Sequence, residues 1–184
     1  MGQSSCNYSL VLDSPLGRLG VLLDGHAVTR LDYLTRRTRL QPACTHAEQG
    51  VERELERFFD NPGVPFTVAV AGRGTAFQMR VWTVLQSIPP GETYTYGQVA
   101  ELLGSGPRAV GNACRRNPVS IIVPCHRVVA ASGMGGYSGK TADPAIWRKH
   151  WLLSHEGADC AGLKSAKLPQ AVTAHREIQR TSHA

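Results

Sequence analysis

The chain has 184 residues, of which 42% are hydrophobic, and a formal net charge of +6. This apolar content excludes general disorder and predicts one ordinary domain, or a small domain followed by a second. No apolar segment is typical of a signal peptide or of a membrane span, so we expect a cytoplasmic protein, nuclear if the source is a eukaryote. The positive charge suits a polyanion such as nucleic acid, although solubility alone would explain it.

The five cysteines are odd in number and lack C-x-x-C spacing. They stand at positions 6, 44, 114, 125 and 160. This pattern argues against a disulfide framework and against a zinc ribbon, so we expect free thiols in a reducing compartment.

The first third of the chain is predicted to be rich in strands. Short apolar runs divided by turn signals predict strands at residues 8–12, 19–23, 28–33 and 66–70. Asp24-Gly25 is typical of a two-residue hairpin turn. Polar residues 35–49 are expected to be irregular, and apolar residues at helical spacing predict a helix over residues 51–60.

Helical signals begin after Gly72-Arg73-Gly74. Thr75 and Gln78 have the spacing of a capping box, and the apolar stripe behind them predicts a helix over residues 76–87. We therefore predict an α+β protein. Its parts would be a small strand-rich α/β domain over residues 1–72, a mainly helical domain with a helix-turn-helix over residues 73–160, and a mobile tail over residues 161–184.

The helix-turn-helix is predicted from two short helices joined by a glycine-containing turn. Thr95 and Gln98 would cap the first, which ends at Gly104, and Pro107 would open the second, which runs to about Arg116. Such a pair either reads DNA or is an ordinary packed pair of helices. The second helix favours DNA because it offers positive charge at Arg108, Arg115 and Arg116 and small residues at Ala109, Gly111 and Ala113.

A candidate nucleophile follows this motif. Residues 119–123 are predicted to form a short buried strand, after which Cys125 stands beside His126. A thiolate is reactive, and a neighbouring base lowers the cost of forming it. Adjacent strand residues point to opposite faces, so cooperation between the two needs a turn or a bridging water. The alternative is a buried cysteine next to an unrelated histidine.

Several motifs together resemble one family. They are Pro124-Cys125-His126-Arg127-Val128, Arg108-Ala109-Val110-Gly111-Asn112, Asn117-Pro118, Tyr137-Ser138-Gly139, Trp151 to Gly157, and Asp13-Ser14-Pro15-Leu16-Gly17. In this order they resemble the O6-alkylguanine-DNA alkyltransferases, also called methylated-DNA–protein-cysteine methyltransferases. The likeness is densest from about Phe77 to Gly157 and extends over most of the chain except the tail.

The resemblance implies a DNA repair reaction with catalytic roles for particular residues. Cys125 would take the alkyl group from O6-alkylguanine, with O4-alkylthymine as a second candidate substrate. His126 would activate the thiol through water, and Glu156 on a late helix would orient His126. Asn117 would hold the turn before the cysteine, and Tyr96 would help to protonate the leaving guanine.

The resemblance also implies a mode of DNA binding. The partner would be double-stranded DNA bound in the minor groove by a monomer, with the damaged base rotated out and Arg108 filling the gap. Ala109, Gly111, Ala113 and Arg115 would lie at this DNA surface. The base pocket would use the carbonyls of Cys125 and Val128, the Ser138 N–H, and a wall that includes Gly135, Gly136 and Tyr137. No cofactor is expected, because the product is a stable thioether and each molecule reacts once.

Some features depart from the family pattern or leave alternatives open. Extra residues at 140–144 should bulge beside the pocket. Cys6 and His26 lie near two zinc-ligand positions of some relatives, but the full ligand set is missing and we predict no metal. Arg148, Lys149 and His150 would precede the late helix as a solvated face, or else contact phosphate.

Three other functions remain open from the sequence. A damage sensor without chemistry would lack the reactive cysteine. A transcriptional regulator would use the helix-turn-helix to read DNA sequence, and a cysteine hydrolase would turn over many times. Cys125 and the order of the motifs favour the alkyltransferase over each of these.

Overall fold

The computed structural model describes residues 8–137 and 144–158. Within them, contacts separate two compact units, one formed by residues 8–74 and 117–123, the other by residues 75–116, 124–137 and 144–158. Residues 117–123 thus cluster with the first unit, although the sequence reading assigned them to the second domain. The first unit carries a sheet and the second is mainly helical, which confirms the predicted α+β class. The predicted tail lies outside the described residues.

The first unit contains a three-stranded antiparallel sheet in the order β1-β2-β3. Its strands are β1 (Leu10–Leu12), β2 (Arg18–Asp24) and β3 (Ala27–Leu34). Gly25 has a φ of 60° in the β2–β3 turn, a conformation that glycine adopts without steric cost. Val21 of the central strand pairs with Leu10 on one side and Leu31 on the other, and all three are buried. The predicted hairpin is therefore confirmed, but its two turn residues are Gly25 and His26 rather than Asp24 and Gly25, because Asp24 pairs with Ala27.

Helix α1 (His46–Asp60) starts five residues before the predicted helix, so the expectation of an irregular stretch over residues 35–49 is wrong for residues 46–49. The reason is a capping box: the Thr45 side chain accepts from the Glu48 N–H, and the Glu48 carboxylate accepts from the Thr45 N–H. This cap lies in a polar stretch that carries no apolar periodicity.

The strand predicted over residues 66–70 is also wrong. Only Val70 bridges to the sheet, beside Val28, whose backbone bonds to Ala69 and Ala71. The N–H groups of Thr67 and Val68 instead donate to the carboxylate of Glu54 on α1. A side chain thus satisfies donors that a neighbouring strand would otherwise take.

Residues 119–123 form a tight turn rather than the predicted strand. The Val123 N–H donates to the Val119 carbonyl at 2.9 Å, and Ile121 has a φ of 77°. A positive φ is strained for a β-branched residue, so its surroundings must hold it there. The length and branching of this apolar run predicted its burial correctly but not its conformation.

In its described residues, the second unit contains four helices, one turn of 3₁₀ helix and a short parallel strand pair. The elements are α2 (Ala76–Gln86), β4 (Tyr94–Thr95), α3 (Tyr96–Leu102), α4 (Pro107–Arg115), the 3₁₀ turn Cys125–Arg127, β5 (Val128–Val129) and α5 (Ala145–His155). Both predicted capping boxes, at Thr75 and at Thr95, are present. None of the described helices is long and apolar enough to cross a membrane.

Helices α3 and α4 form the predicted helix-turn-helix. Gly104, with a φ of 60°, lies in the turn, and Pro107 takes the first position of α4. The indole N–H of Trp82 on α2 donates to the Ala113 carbonyl at 3.0 Å. Helix α4 is therefore hydrogen-bonded to α2. The buried residues of α4 are Val110, Ala113 and Cys114.

Candidate active site

Cys125 is the first residue of the 3₁₀ turn and is 4% exposed. The Val128 N–H donates to the Cys125 carbonyl and closes this turn. The sequence placed Cys125 at the end of a core strand, where its neighbour would point to the opposite face. The structure instead supplies a turn, which is one of the two conditions for cooperation between Cys125 and His126.

His126 is fully buried and bonded to a carboxylate. Its Nε2 lies 2.9 Å from Oε1 of Glu156, the residue that ends α5. The same carboxylate accepts two bonds from Arg127, one from Nε at 2.9 Å and one from Nη2 at 2.7 Å. A bidentate guanidinium–carboxylate pair fixes the plane of the carboxylate as well as its position. Glu156 is thereby oriented toward His126.

The electrostatics define the proton positions in this cluster. Burial by itself raises the pKa of Glu156, but His126 and Arg127 outweigh it and hold that pKa at about 2. Burial, together with the charges of Arg127 and Lys149, outweighs the effect of Glu156 and lowers the pKa of His126. At neutral pH a neutral imidazole therefore faces an ionised carboxylate, which can only accept a hydrogen bond. The proton must lie on Nε2, which leaves a lone pair on Nδ1.

The His126 Nδ1 atom is buried and has no hydrogen-bond partner among the described residues. A buried polar atom of this kind is uncommon in a folded protein. An imidazole whose Nε2–H is anchored by a carboxylate and whose Nδ1 lone pair is open is arranged to accept a proton.

Arg127 is a functional candidate that the sequence reading did not single out. It is 7% exposed, and besides Glu156 it donates through Nη1 to the carbonyl of Ile88. Gly91 lets the loop after Ile88 approach the backbone of Glu156, because a Cβ at this position would lie only 2.9 Å from the Glu156 carbonyl oxygen. Its φ of 79° also favours glycine. The signal for Arg127 was its charge within an otherwise apolar segment, since arginine is rarely buried without a partner.

Tyr96 is the first residue of α3, and its hydroxyl donates to the Gly136 carbonyl at 3.3 Å. Burial, and then the charges of Cys114 and Cys125, raise the pKa of Tyr96 above its ordinary value. The phenol therefore keeps its proton at neutral pH and remains a hydrogen-bond donor.

The predicted pocket residues lie in the segment after the 3₁₀ turn. Val128 and Tyr137 are buried and Gly136 is half-buried. Ser138 and residues 140–143 of the predicted bulge lie outside the described residues. The Cys125 carbonyl accepts from the Val128 N–H, and the Val128 carbonyl accepts from Lys149, yet each oxygen has a second lone pair for a base.

Lys149 contradicts the expectation of a solvated or phosphate-binding face before the late helix. Helix α5 already begins at Ala145, and Lys149 is 0% exposed. Its Nζ donates to three carbonyls, those of Val128, Met134 and Gly136. A signal was available in the sequence, because Lys149 falls at helical spacing between the buried residues Ala145 and Leu152.

Asn117 belongs to the first unit and spans the tight turn of residues 119–123. Its Nδ2 donates to the Val123 carbonyl at 2.8 Å, and its Oδ1 accepts from the Val119 N–H at 3.0 Å. One side chain thus ties both ends of the turn that contains the strained Ile121. Val123 precedes Pro124 and Cys125 directly in the chain.

The predicted DNA-binding residues of α4 differ in exposure. Arg108 and Arg115 are exposed, and Ala109 and Gly111 are half-buried. Ala113 is 1% exposed and packs inside the unit, because its helix face is the one held by Trp82. The Ala113 side chain is therefore not available for direct contact with DNA.

The described residues contain no group of three or more His, Cys, Asp or Glu side chains able to hold a metal ion. His26 is exposed, and Cys6, the other residue considered for zinc, lies outside the described residues. The absence of a resident metal stays a prediction.

The chain is similar to proteins of one family over most of its length. A family model described as "6-O-methylguanine DNA methyltransferase, DNA binding domain" matches residues 76–158. The methylated-DNA–protein-cysteine methyltransferase of Mycobacterium bovis is 41% identical over an alignment of 154 positions, and the match covers 79% of this chain and 89% of the relative. That of Methanosarcina acetivorans is 35% identical over 159 aligned positions, and the match covers 82% of this chain and 99% of the relative.

Solved structures give the same result. The structure of Mycobacterium tuberculosis OGT in complex with DNA has a TM-score of 0.67 and 40% identity, and the match covers 80% of this chain and 91% of that one. The resemblance noted from the motifs is thereby confirmed. The chain belongs to the methylated-DNA–protein-cysteine methyltransferases, the alkyltransferase family of DNA repair.

Proposed function

We propose that this chain repairs DNA by moving the alkyl group of O6-alkylguanine onto the sulfur of Cys125, once per molecule. The reaction class is that of the family, and the particular residues are the proposal. One observation supports it most: Cys125 shares a single turn with His126, a neutral imidazole anchored at Nε2 by Glu156 and open at Nδ1.

The reaction balances without a cofactor. The Cys125 thiol gives its proton, through water, to His126 Nδ1, and the thiolate attacks the alkyl carbon. A carbon–sulfur bond forms as the carbon–O6 bond breaks, and the guanine leaves with the electron pair of that bond. Tyr96, whose hydroxyl is protonated at neutral pH, assists protonation of the departing base. The proton that His126 took from Cys125 balances the one that the base gains, so the reaction neither consumes nor releases a proton. The resulting thioether has no thiolate and cannot react again.

Glu156 and Arg127 serve this step by charge and orientation. As His126 accepts a proton it becomes an imidazolium, and the ionised Glu156 stabilises it. Arg127 keeps Glu156 in place with two hydrogen bonds. Asn117 contributes earlier in the chain, where it holds the turn that leads into Cys125.

DNA would meet the exposed face of α4. Arg108 stands in its first turn and is free of the core, which suits insertion into the stack when the damaged nucleotide rotates out. Arg115 adds phosphate contact, and the half-buried Ala109 and Gly111 permit close approach in the minor groove. The rotated base would lie against Val128, Gly136, Tyr137 and Ser138.

The proposal includes a monomer that acts on double-stranded DNA containing O6-alkylguanine, with O4-alkylthymine as a second candidate. Its location would be the cytoplasm, or the nucleus in a eukaryote, because the substrate is chromosomal DNA. Among the described residues, Cys44, Cys114 and Cys125 form no disulfide, which agrees with a reducing compartment.

The test is mass spectrometry of the intact protein after incubation with a duplex that carries one O6-methylguanine. We expect one added methyl group per molecule, located on the peptide that contains Cys125, and no reaction of Cys125→Ala. Cys44→Ser, which changes an exposed thiol of the first unit, is the matched control and should react as the native chain does. Methyl on Cys114, or several repaired bases per protein molecule, would refute the proposal.

A further inference from the structure

Lys149 is a buried cation whose charge is not compensated by an ion pair with any described residue. Removing an ammonium group from water is costly unless hydrogen bonds replace its hydration. All three Nζ hydrogens are used, toward Val128 at 2.7 Å, Met134 at 2.6 Å and Gly136 at 3.1 Å. A purely packing role would be served by an apolar residue, so this arrangement calls for a specific explanation.

The three carbonyls belong to one segment that has little regular structure of its own. After β5 ends at Val129, the backbone up to Gly136 has only the Ala130–Gly133 bridge, and Gly133 and Gly135 have φ angles of 146° and 69°. The outermost of the three carbonyls are eight residues apart, at Val128 and Gly136. Lys149 therefore ties both ends of this segment to α5 from a single atom.

The same cation is linked to Tyr96. Lys149 Nζ lies 5.9 Å from the centre of the Tyr96 ring, within the range of a cation–π contact, and the Tyr96 hydroxyl donates to the Gly136 carbonyl that Lys149 also binds. A Cβ at Gly135 would lie 3.3 Å from Tyr96 Cε2. The ring and the segment are thus held together at close range.

We propose that Lys149 is a positioning residue for alkyl transfer: its three hydrogen bonds shape residues 128–136 into the wall of the base pocket and keep Tyr96 beside that wall. This rests on the proposed function, since the wall matters only if a guanine is placed against it. Misplacing a bound base by a fraction of the reacting distance lowers the transfer rate steeply. In this proposal Lys149 acts through the fixed positions of its three hydrogen bonds and not through its charge.

Charge provides a competing explanation that the test must separate. Burial lowers the pKa of Lys149 to about 8, while Cys125 and Cys114 act to raise it. At pH 7 the lysine is therefore largely protonated, and its charge could assist the Cys125 thiolate. A group that acts only by charge would change the reactivity of Cys125 toward any electrophile, whereas a group that shapes the wall affects only substrates that use the pocket.

The experiment compares two reactions of the full chain at pH 7. The first is benzyl transfer from free O6-benzylguanine, which uses the pocket but not DNA. The second is alkylation by iodoacetamide, which requires no base pocket. Both are followed on the Cys125 peptide, with the Cys114 peptide as a reporter of loosened packing. The variants are Lys149→Met, which has no donors, and Lys149→Gln, which keeps two donors without charge; Arg53→Met removes an exposed positive charge on α1 as the control.

We expect Lys149→Met to slow benzyl transfer by about 100-fold. Its iodoacetamide reaction at Cys125 should stay within about twofold of native, because the thiol environment is set by His126 and Glu156. Lys149→Gln should fall between Lys149→Met and the native chain, and Arg53→Met should match the native chain.

Three results would overturn the proposal. Unchanged benzyl transfer in Lys149→Met would remove the lysine from the reaction. Equal losses in both reactions, or Lys149→Gln as slow as Lys149→Met, would assign it a charge role. Faster labelling of Cys114, or variants that do not fold, would reduce it to a structural residue. A native chain that takes no methyl group on Cys125 from the O6-methylguanine duplex would instead contradict the proposed function itself.

Discussion

Helices α2 and α3 and the segment from residue 124 to residue 137 belong to the same unit but are held in different ways. Each helix is capped by the threonine before it, whose side chain accepts a hydrogen bond from the N–H of a glutamine three residues later. The segment with the reactive residues has a 3₁₀ turn and a two-residue strand. Its shape depends on Glu156 and Lys149, which reach it from α5.

This difference separates local from distant determinants. The capping partners are three residues apart, whereas His126 and Glu156 are thirty residues apart. A local cap forms wherever its short motif occurs, but the active segment takes its shape only when α5 is packed beside it. Disrupting the distant contacts should therefore cost stability and activity together, while disrupting a cap should cost a little stability alone.

The largest effect on stability is expected from Arg127→Met. It removes two hydrogen bonds to Glu156 and one to the Ile88 carbonyl, and it leaves a buried carboxylate with only His126 as partner. Breaking a buried ion pair from one side typically costs about 3–5 kcal/mol. Urea unfolding at pH 7 would measure it, with Arg53→Met as the exposed control. A loss no larger than that of the control would show that the pair does not stabilise the fold.

The second largest effect is expected from acid, which should lower the free energy of unfolding by weakening the contacts of Glu156. Glu156 has a folded pKa of about 2 and an unfolded value near 4.5, so the stability it contributes is complete above pH 4.5 and is lost as the pH falls toward 2. A difference of this size corresponds to about 3 kcal/mol. His126 acts in the same direction below its unfolded pKa of about 6.5, because burial keeps it neutral while the unfolded chain takes up a proton.

The measurement is the free energy of unfolding against pH, and the matched comparison is between Glu156→Gln and Glu48→Gln. Glu48 belongs to the exposed cap of α1, where solvent screens its interactions, so its substitution should alter the pH dependence far less. Identical profiles for the two variants would contradict the contrast between buried and exposed carboxylates.

Arg108→Ala tests helix α4, which begins at Pro107 and is proposed to act only on DNA. Arg108 is exposed in the first turn of α4, so we expect no loss of stability. Repair of duplex DNA should slow by about tenfold or more, because the arginine no longer fills the gap left by the rotated base. Reaction with free O6-benzylguanine should be unchanged, since that base has no stack to leave. Equal losses on both substrates would move Arg108 into the pocket.

The smallest effect is expected from Thr75→Ala, which removes the side-chain cap of α2. The loss should be about 1 kcal/mol in the free energy of unfolding, with the alkyl transfer rate retained. Thr75→Ser is the control, because serine keeps the hydroxyl that accepts from Gln78. A large loss of transfer rate at unchanged stability would show that the two regions are not independent.

The sequence correctly predicted those helices and strands that are determined by residues close together in the chain. The hairpin at Asp24-Gly25 and the helices after Thr75 and Thr95 follow from residues within a few positions of each other. Residues 66–70 and 119–123 were predicted as strands because apolar runs indicate burial without specifying hydrogen-bond partners. Those partners, Glu54 in one case and Asn117 in the other, are side chains that no local pattern identifies.

The candidate site shows the same limit. The motifs named Cys125, His126 and Glu156, and the structure brings the last two within 2.9 Å. They gave no role to Arg127, and Lys149 was expected on a solvated or phosphate-binding face. Both residues are instead buried with hydrogen bonds to named partners. Helical spacing pointed to a buried position for Lys149, but the hydrogen-bond partners of a buried charge depend on the packing of the whole unit and are visible only in the fold.

The most direct test of the account is the pH dependence of alkyl transfer in Glu156→Gln, under single-turnover conditions. The amide keeps an acceptor for His126 but lacks the charge that stabilises the imidazolium. Transfer should slow by about 100-fold or more, and its pH midpoint should move upward, while affinity for alkylated DNA at fixed salt persists. An unchanged rate with an unshifted pH profile would contradict the claim that Glu156 activates Cys125 through His126.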